Sequence, residues 1–274
     1  MTENSFPACR WLTLRQEGFH LTVTLNRPEA RNAMSAAMAV ELSAVFAHVA
    51  ARNDIAAVIL RGAGKHFCAG GDLKDMTDAI APPASGEPDA LYEVNRRFGD
   101  LLTLVDSVPQ AVISIVQGAA RGGGFGLVCV SDVVIAQRES TYAMPETGFG
   151  LPGAQIIPFV TQRLGAHYAR RLVVTGAAVD GAEMHRAGLV MHLCNSDDEA
   201  EAALRTVLDQ IRGRSPTAVA QSKALIAKVG KVPLSRLLDE GGRLVADGTR
   251  HGDGREGLDA FFAKRSPRWT ERDG

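Results

Sequence analysis

The stretch AVISIVQGAARGGGFGLVCVSDVVIA, residues 111–136, decides the fold class. Val112 to Val116, apolar except at Ser114, is a run of strand length, and Asp132 to Ala136 returns to strand character. Between them the run Arg121-Gly122-Gly123-Gly124-Phe125-Gly126 opens a helix at about residue 122. A strand, a crossover helix and a second strand imply parallel pairing. The same order recurs upstream. Ala57-Val58-Ile59-Leu60 predicts a short strand buried on both faces, and the glycine cluster Cys68-Ala69-Gly70-Gly71-Asp72-Leu73 follows it. Residues 11–25 predict two extended segments, with Leu21, Val23 and Leu25 alternating with Thr22 and Thr24. Ser35 is placed to cap a helix over 36–52, in which Met38, Leu42, Val45 and Val49 share one face. Residues 81–89 hold three prolines and a glycine and predict a loop, after which Leu91, Val94, Phe98, Leu101 and Val105 mark another helix. Beyond residue 195 only helical patterns appear, separated by Pro216, Pro233 and HGDG at 251–254. The expected organisation is a mixed α/β core over 1–195 and a helical segment over 196–274, with no internal repeats.

Composition narrows the function classes. A chain of 274 residues can form two units at ~150 residues each, although α/β folds of this size also form one body. Thirty Lys and Arg against 31 Asp and Glu give a net charge of −1, unlike the basic excess of a nucleic-acid binder. The longest uncharged stretch, Thr147 to Gln162, carries two prolines and three glycines, so no membrane span is expected. MTENSFPACR has no basic segment followed by an apolar one, so no secretion signal is expected. Cys9, Cys68, Cys129 and Cys194 are isolated in sequence, and the seven histidines are scattered. That argues against a metal site and for a reduced, cytoplasmic protein.

Chemistry concentrates at three places. Each glycine cluster follows a strand and precedes a helix, so backbone N–H groups are left free where the helix begins. Two such turns facing each other would offer two donors to one oxygen, which is an oxyanion hole. The bland alternative for the GGG run is close helix packing. A dinucleotide turn fails because Leu127 stands where a third glycine is needed, and a phosphate loop around Gly64-Lys65 fails at Ile59 and His66. The third place is Met144-Pro145-Glu146, where an acid at a strand end amid apolar residues is a general acid/base candidate. Its alternative is an ordinary surface acid. No G-x-S-x-G elbow is present, which disfavours a serine hydrolase.

LNRPEARNAMS at 25–35, HFCAGGDLKDM at 66–76, QGAARGGGFGLVCVSDVVIA at 117–136, MPETGFG at 144–150 and GLDAFFAKRSPRW at 257–269 together resemble the crotonase (enoyl-CoA hydratase/isomerase) superfamily over nearly the whole chain. The resemblance implies an α/β spiral of ββα units with a helical C-terminal segment used in trimerisation, often as a dimer of trimers. It implies an acyl-CoA thioester as substrate and no metal or other cofactor, while the near-neutral charge and the lack of a long apolar stretch argue against a nucleic-acid or membrane partner. It assigns the two oxyanion donors to the amides of Gly71 and Gly123 and the acid/base to Glu146.

Related hydratases carry a second glutamate, which would fall at Gly126. Its replacement by glycine is expected to open space beside Glu146, in a pocket lined by Gly126, Phe125, Met76 and Phe149. Arg27, Ala69, Asp72, Lys74 and Lys264 match positions that approach CoA in relatives, whereas Phe261 and Phe262 are expected to pack on the core or a neighbour. The blocks FCAGGDLKDM, GGGFGLVCVSDV, PET and AQIIPFV are most similar to hydratases of branched glutaconyl-CoA thioesters. These include the enzymes acting on 3-methylglutaconyl-CoA and, above all, on isohexenylglutaconyl-CoA in acyclic terpene breakdown. Hydration is therefore the expected reaction. A Δ3,Δ2-enoyl-CoA isomerase with a single glutamate is the alternative, and a decarboxylase or a binding protein without catalysis is a more distant one.

Overall fold

The alternation at 20–25 buries Leu21, Val23 and Leu25 on one face and leaves Thr22 and Thr24 half-buried, making strand β2 (His20–Leu25). It pairs antiparallel with β1 (Leu12–Glu17) through a tight hairpin in which Glu17 faces His20. Every later strand of the main sheet is parallel to its neighbour. Helix α1 (Ala36–Ala50) crosses to β3 (Ala57–Gly62), and Ser35 caps that helix by accepting the Met38 amide. The short α2 (Leu73–Asp78) and the long α3 (Ala90–Ser107) then lead to β4 (Ala111–Val116). The computed structural model describes residues 6–78, 81–83 and 85–271, without the side chains of Met76 and Asp78.

After β4 the chain makes a three-residue strand, β5 (Ala119–Arg121), and helix α4 (Gly123–Cys129), then re-enters the main sheet as β6 (Val133–Gln137). Strand β7 (Thr141–Ala143) pairs with β5. Helix α5 (Ile157–Thr175), strand β8 (Val179–Asp180), helix α6 (Gly181–Arg186) and strand β9 (His192–Cys194) complete the mixed part. The main sheet has the order β1-β2-β3-β4-β6-β9, and a small second sheet has the order β5-β7-β8. Among the described residues no strand follows β9. The rest is α7 (Asp197–Arg212), α8 (Pro216–Lys228), α9 (Leu234–His251) and α10 (Asp253–Phe262).

The period of two along the central strands feeds two apolar layers. Val58, Leu60, Val112 and Val116 join Leu42, Phe46 and Leu101 from α1 and α3. Ala57, Ile59, Ile113 and Ile115 face the other way and meet Leu204, Val207 and Leu208 of α7. Fully burying one such side chain is worth about 1.5–3 kcal/mol. The central strands are therefore fixed from both sides, and α7 is docked on the sheet.

The loops at the carboxyl ends of β2 and β3 are locked by one side chain. Asn32 is fully buried, in the left-handed backbone region with φ 55°. Its Nδ2 donates to the carbonyls of Ala63 (2.9 Å) and His66 (2.7 Å), and its Oδ1 accepts the Arg27 amide at 2.9 Å. Asn tolerates this backbone region better than most residues. Replacing Asn32 by Ala leaves buried carbonyls unpaired and strains the backbone. Asn32→Ala is expected to lower unfolding free energy by about 2–4 kcal/mol, read by chemical denaturation.

Candidate active site

Three short backbone segments are laid side by side at one edge of the main sheet. The Phe67 amide donates to the Gln117 carbonyl and the Cys68 amide to that of Ala119, both at 2.9 Å, and the Arg121 amide returns to Cys68 at 3.0 Å. Ala120 pairs in turn with Tyr142 in the β5–β7 ladder. The Gly122 amide extends that ladder to the Ala143 carbonyl at 3.0 Å. The ends of the three segments therefore meet: the turn at 70–71, the turn at 122–123 and Glu146.

The two turns approach each other backbone to backbone. A Cβ added to Gly70 would lie 3.2 Å from the Arg121 carbonyl oxygen, and one added to Gly122 would lie 3.6 Å from Gly70 Cα. Gly70 has φ +111° and Gly122 has φ +49°, conformations that side-chain-bearing residues rarely adopt. Met34 donates to the Gly70 carbonyl and accepts from Asp72, so in this parallel bridge the Gly71 amide points away from Met34. Gly123 is the first residue of α4 and has no carbonyl one turn back to accept its amide. Among the described residues neither amide has an acceptor. A Cβ on Gly71 would meet nothing within 4 Å, so the space above it is open.

Glu146 sits in a single 3₁₀ turn, Pro145–Phe149, that Pro145 starts with its fixed φ. Its carboxylate lies 2.8 Å from where a Cβ on Gly122 would be, so the glycine makes room for it. Oε2 is buried and has no hydrogen-bond partner among the described residues. Burial raises the carboxyl pKa above its ordinary 4.5, against a smaller lowering from a backbone hydrogen bond.

The pocket walls differ from expectation. Gly126 does not open space beside Glu146: a Cβ there would meet Ile156 Cγ2 at 2.8 Å and Leu102 Cδ1 at 3.1 Å. Aliphatic side chains from α3 and from the turn before α5 fill the room. Phe125 is fully buried with its ring 5.7 Å from that of Tyr142, so it is core rather than pocket wall. Phe149 is exposed at the end of the 3₁₀ turn. The backbone of Met76 lies in α2, but its side chain is outside the described residues. Phe98, expected only as part of a buried helix face, is half-buried and places its ring 2.8 Å from a Cβ on Gly123. The sequence signal for Ile156 was its place in the block AQIIPFV, but nothing local tied that block to Gly126.

Arg27, Ala69, Asp72 and Lys74 are gathered around the first turn. Arg27 pairs with Asp72 at 2.9 Å, both largely buried, and donates to the Ala33 carbonyl at 2.7 Å. The Ala69 amide is bonded to Arg31 at 3.0 Å, and Asp72 accepts the Lys74 amide at 3.1 Å. Arg27 and Asp72 thus neutralise each other and hold the turn, while Lys74 remains exposed. Lys264 lies apart in sequence, past the end of α10, with φ 53°. Phe261 and Phe262 do not pack on the core: they are 76% and 78% exposed, and their rings touch each other. His66 accepts the Ala119 amide at 3.1 Å and so ties the first turn to β5. Among the described residues no three His, Cys, Asp or Glu side chains are grouped to hold a metal ion.

Residues 16–272 match the enoyl-CoA hydratase/isomerase family. The chain belongs to that family. Two solved structures are similar over almost the whole chain. An enoyl-CoA hydratase/isomerase from Marinobacter aquaeolei has 42% identity and a TM-score of 0.92, covering 96% of this chain and 100% of its own. AtuE from Pseudomonas aeruginosa has 44% identity and a TM-score of 0.91, covering 95% and 100%. A putative enoyl-CoA hydratase/isomerase from Bacillus subtilis, YngF, is 33% identical over 92% of this chain and 95% of its own length. The fold is the crotonase fold, and the protein is an enzyme of this family.

In this hydratase/isomerase the unpartnered carboxylate has a consequence that can be measured without substrate. Its pKa is raised in the folded state, so ionising it costs stability. The cost is absent below pH 4.5 and grows as pH rises through the raised pKa. Glu146→Gln removes it. The variant is expected to melt above the wild type at mildly alkaline pH, and the gap is expected to close as pH falls toward 4.5 in thermal denaturation scans.

Proposed function

We propose that the enzyme hydrates a branched glutaconyl-type enoyl-CoA, with isohexenylglutaconyl-CoA or 3-methylglutaconyl-CoA as the substrate class. The observation that carries this is a single desolvated carboxylate, Glu146, beside two turns whose Gly71 and Gly123 amides have no acceptor of their own. The amides bind the thioester oxygen. Glu146 takes a proton from water as the water oxygen bonds to C3, and the C2–C3 π electrons move onto the thioester oxygen. The resulting enolate carries its charge between the two donors, each worth ~10²–10³ in rate. The enolate then collapses and takes the proton back from Glu146 at C2, so one group serves as base and then acid.

The aliphatic filling at Gly126 supports a one-carboxylate mechanism. A second ionised acid there would face Ile156 and Leu102 without solvation. A second reading, a Δ3,Δ2-enoyl-CoA isomerase, would use the same lone carboxylate, Glu146, to shuttle a proton between C2 and C4. Arg27, Ala69, Asp72, Lys74 and Lys264 would lie along the CoA path, with Lys74 and Lys264 as the cations free to meet phosphate.

Residues 196–274, beyond the core unit of 1–195, would carry the assembly surface of a homotrimer or a dimer of trimers. Leu234, Leu238 and Val245 form one exposed stripe on α9, and Phe261 and Phe262 add an exposed aromatic pair on α10. Apolar surface of this extent is typical of contact regions. Four free cysteines suit a reducing cytoplasm. In the reading as hydratase, no helix of the described residues is long and apolar enough to cross a membrane, and CoA enters as part of the substrate.

Two measurements test this. Purified protein is expected to consume a conjugated branched glutaconyl thioester with uptake of water, followed by loss of enoyl absorbance. Formation of the conjugated form from a 3-enoyl thioester, without hydration, would instead select the isomerase. Glu146→Gln is expected to reduce kcat by ~10²–10⁴. Leu238→Glu is expected to yield a smaller species by light scattering while helix content is retained.

A further inference from the structure

One face of α3 continues past the reacting groups into a polar cluster. Phe98 covers Gly123, and Leu102, one turn further along, reaches Gly126. Gly99 and Asn95 lie on the same face, at helical spacings of three and four. Gly99 is buried, and the space a Cβ would take there is occupied by the Gln155 side-chain carbonyl, with Arg96 Nη1 only 3.0 Å from the same point. Gln155 Nε2 donates to Asn95 Oδ1 at 3.1 Å, which fixes the orientation of the Gln155 amide. Gln155 and Ile156 are neighbours in one 3₁₀ turn, Ala154–Ile156. That turn therefore sets an aliphatic side chain against the reacting turn and an amide against the polar cluster.

Among the described residues Arg96 pairs with its exposed i,i+4 neighbour Asp100, at 2.6 Å with side chains 46% and 60% accessible. Such a pair contributes little to stability and exchanges readily for a better acceptor. A guanidinium offers two parallel donors to a planar carboxylate, and the amide N–H groups of Asn95 and Gln155 are donors at the same rim.

We infer that Arg96, with the Asn95–Gln155 amide pair seated on Gly99, is the subsite that takes the distal carboxylate of the acyl group. This rests on the glutaconyl reading above and deepens it. Half-buried Phe98 covers the hydrocarbon between, and the carboxylate end emerges beyond it, where the guanidinium and the amides are. The arrangement separates the two carboxylates chemically. Glu146 stays in apolar surroundings, and the substrate's charge is neutralised one helical turn away.

The test uses the full chain and two stable acyl thioesters of equal branching, 3-methylglutaryl-CoA and 3-methylbutyryl-CoA, as dead-end ligands measured by calorimetry. Arg96→Gln is expected to weaken the dicarboxylic thioester at least ~10-fold more than the monocarboxylic one, the scale of a lost charge-assisted hydrogen bond. Arg96→Lys should restore part of the difference, and Gln155→Leu should show the same preference in smaller measure. Equal weakening of both ligands, or none, would overturn the subsite. Hydration of the glutaconyl thioester by the wild type is scored separately. Turnover without any Arg96 preference sinks the subsite and leaves the hydratase standing. An Arg96 preference without turnover does the reverse.

Discussion

The backbone ladder joining residues 67–68, 119–121 and 141–143 is the constraint on which the site depends. It is built from main-chain hydrogen bonds, so it dictates position without regard to side chains. Each strand of the ladder runs out of the main sheet's edge at a different point in sequence, yet all three end at one level. Backbone groups that flank the turns are used up in holding them: the Met34 amide donates to the Gly70 carbonyl, and the Gly122 amide donates to the Ala143 carbonyl. The amides of Gly71 and Gly123 are left over by geometry. An oxyanion site made this way requires no reorganisation when charge develops, which is where preorganised donors gain their effect.

Glycine serves two distinct purposes along these turns. At Gly70 and Gly122 it permits a backbone conformation that other residues resist, and at Gly122 it also leaves room for the Glu146 carboxylate. At Gly124 and Gly126 it serves packing alone. Gly124 lies against Cys68, and Gly126 against Ile156 and Leu102. One run of sequence thus combines catalysis-bearing and packing glycines. Their order follows the helix: the residues at its start face the site, and those a turn later face the core.

Much of the fold was legible because its signals are local. Alternation at 20–25, the Ser35 cap and the apolar runs at 57–60 and 112–116 each decide their own segment. The strands β5, β8 and β9 have two or three residues each, too few for any period to show. The site was legible in the two glycine clusters and in Glu146, since turn chemistry and an acid after proline are also local. The environment of Gly126 was not. It is set by residue 102, 24 positions before it, and residue 156, 30 positions after it. A missing side chain in sequence therefore looked like empty space, and in three dimensions it is a filled one. The same limit applies to Phe261 and Phe262, expected to pack on the core or a neighbour and standing exposed among the described residues.

The burial of Glu146 Oε2 without a partner is a local weakness that the surroundings over-determine. A carboxyl in that position folds most easily when protonated, because burial outweighs the one backbone hydrogen bond that favours its charge. A hydrogen bond from a neighbouring side chain would stabilise the fold, but it would also lower the carboxyl's basicity and occupy the lone pair that must accept a proton. Phe98, Leu102 and Ile156 instead supply apolar contact to the neighbouring turn and helix start, at Gly123 and Gly126. Proton affinity is therefore kept high by burial, which outweighs the smaller lowering from the backbone hydrogen bond. In the proposed mechanism, that raised proton affinity would let a single side chain act as base and then as acid.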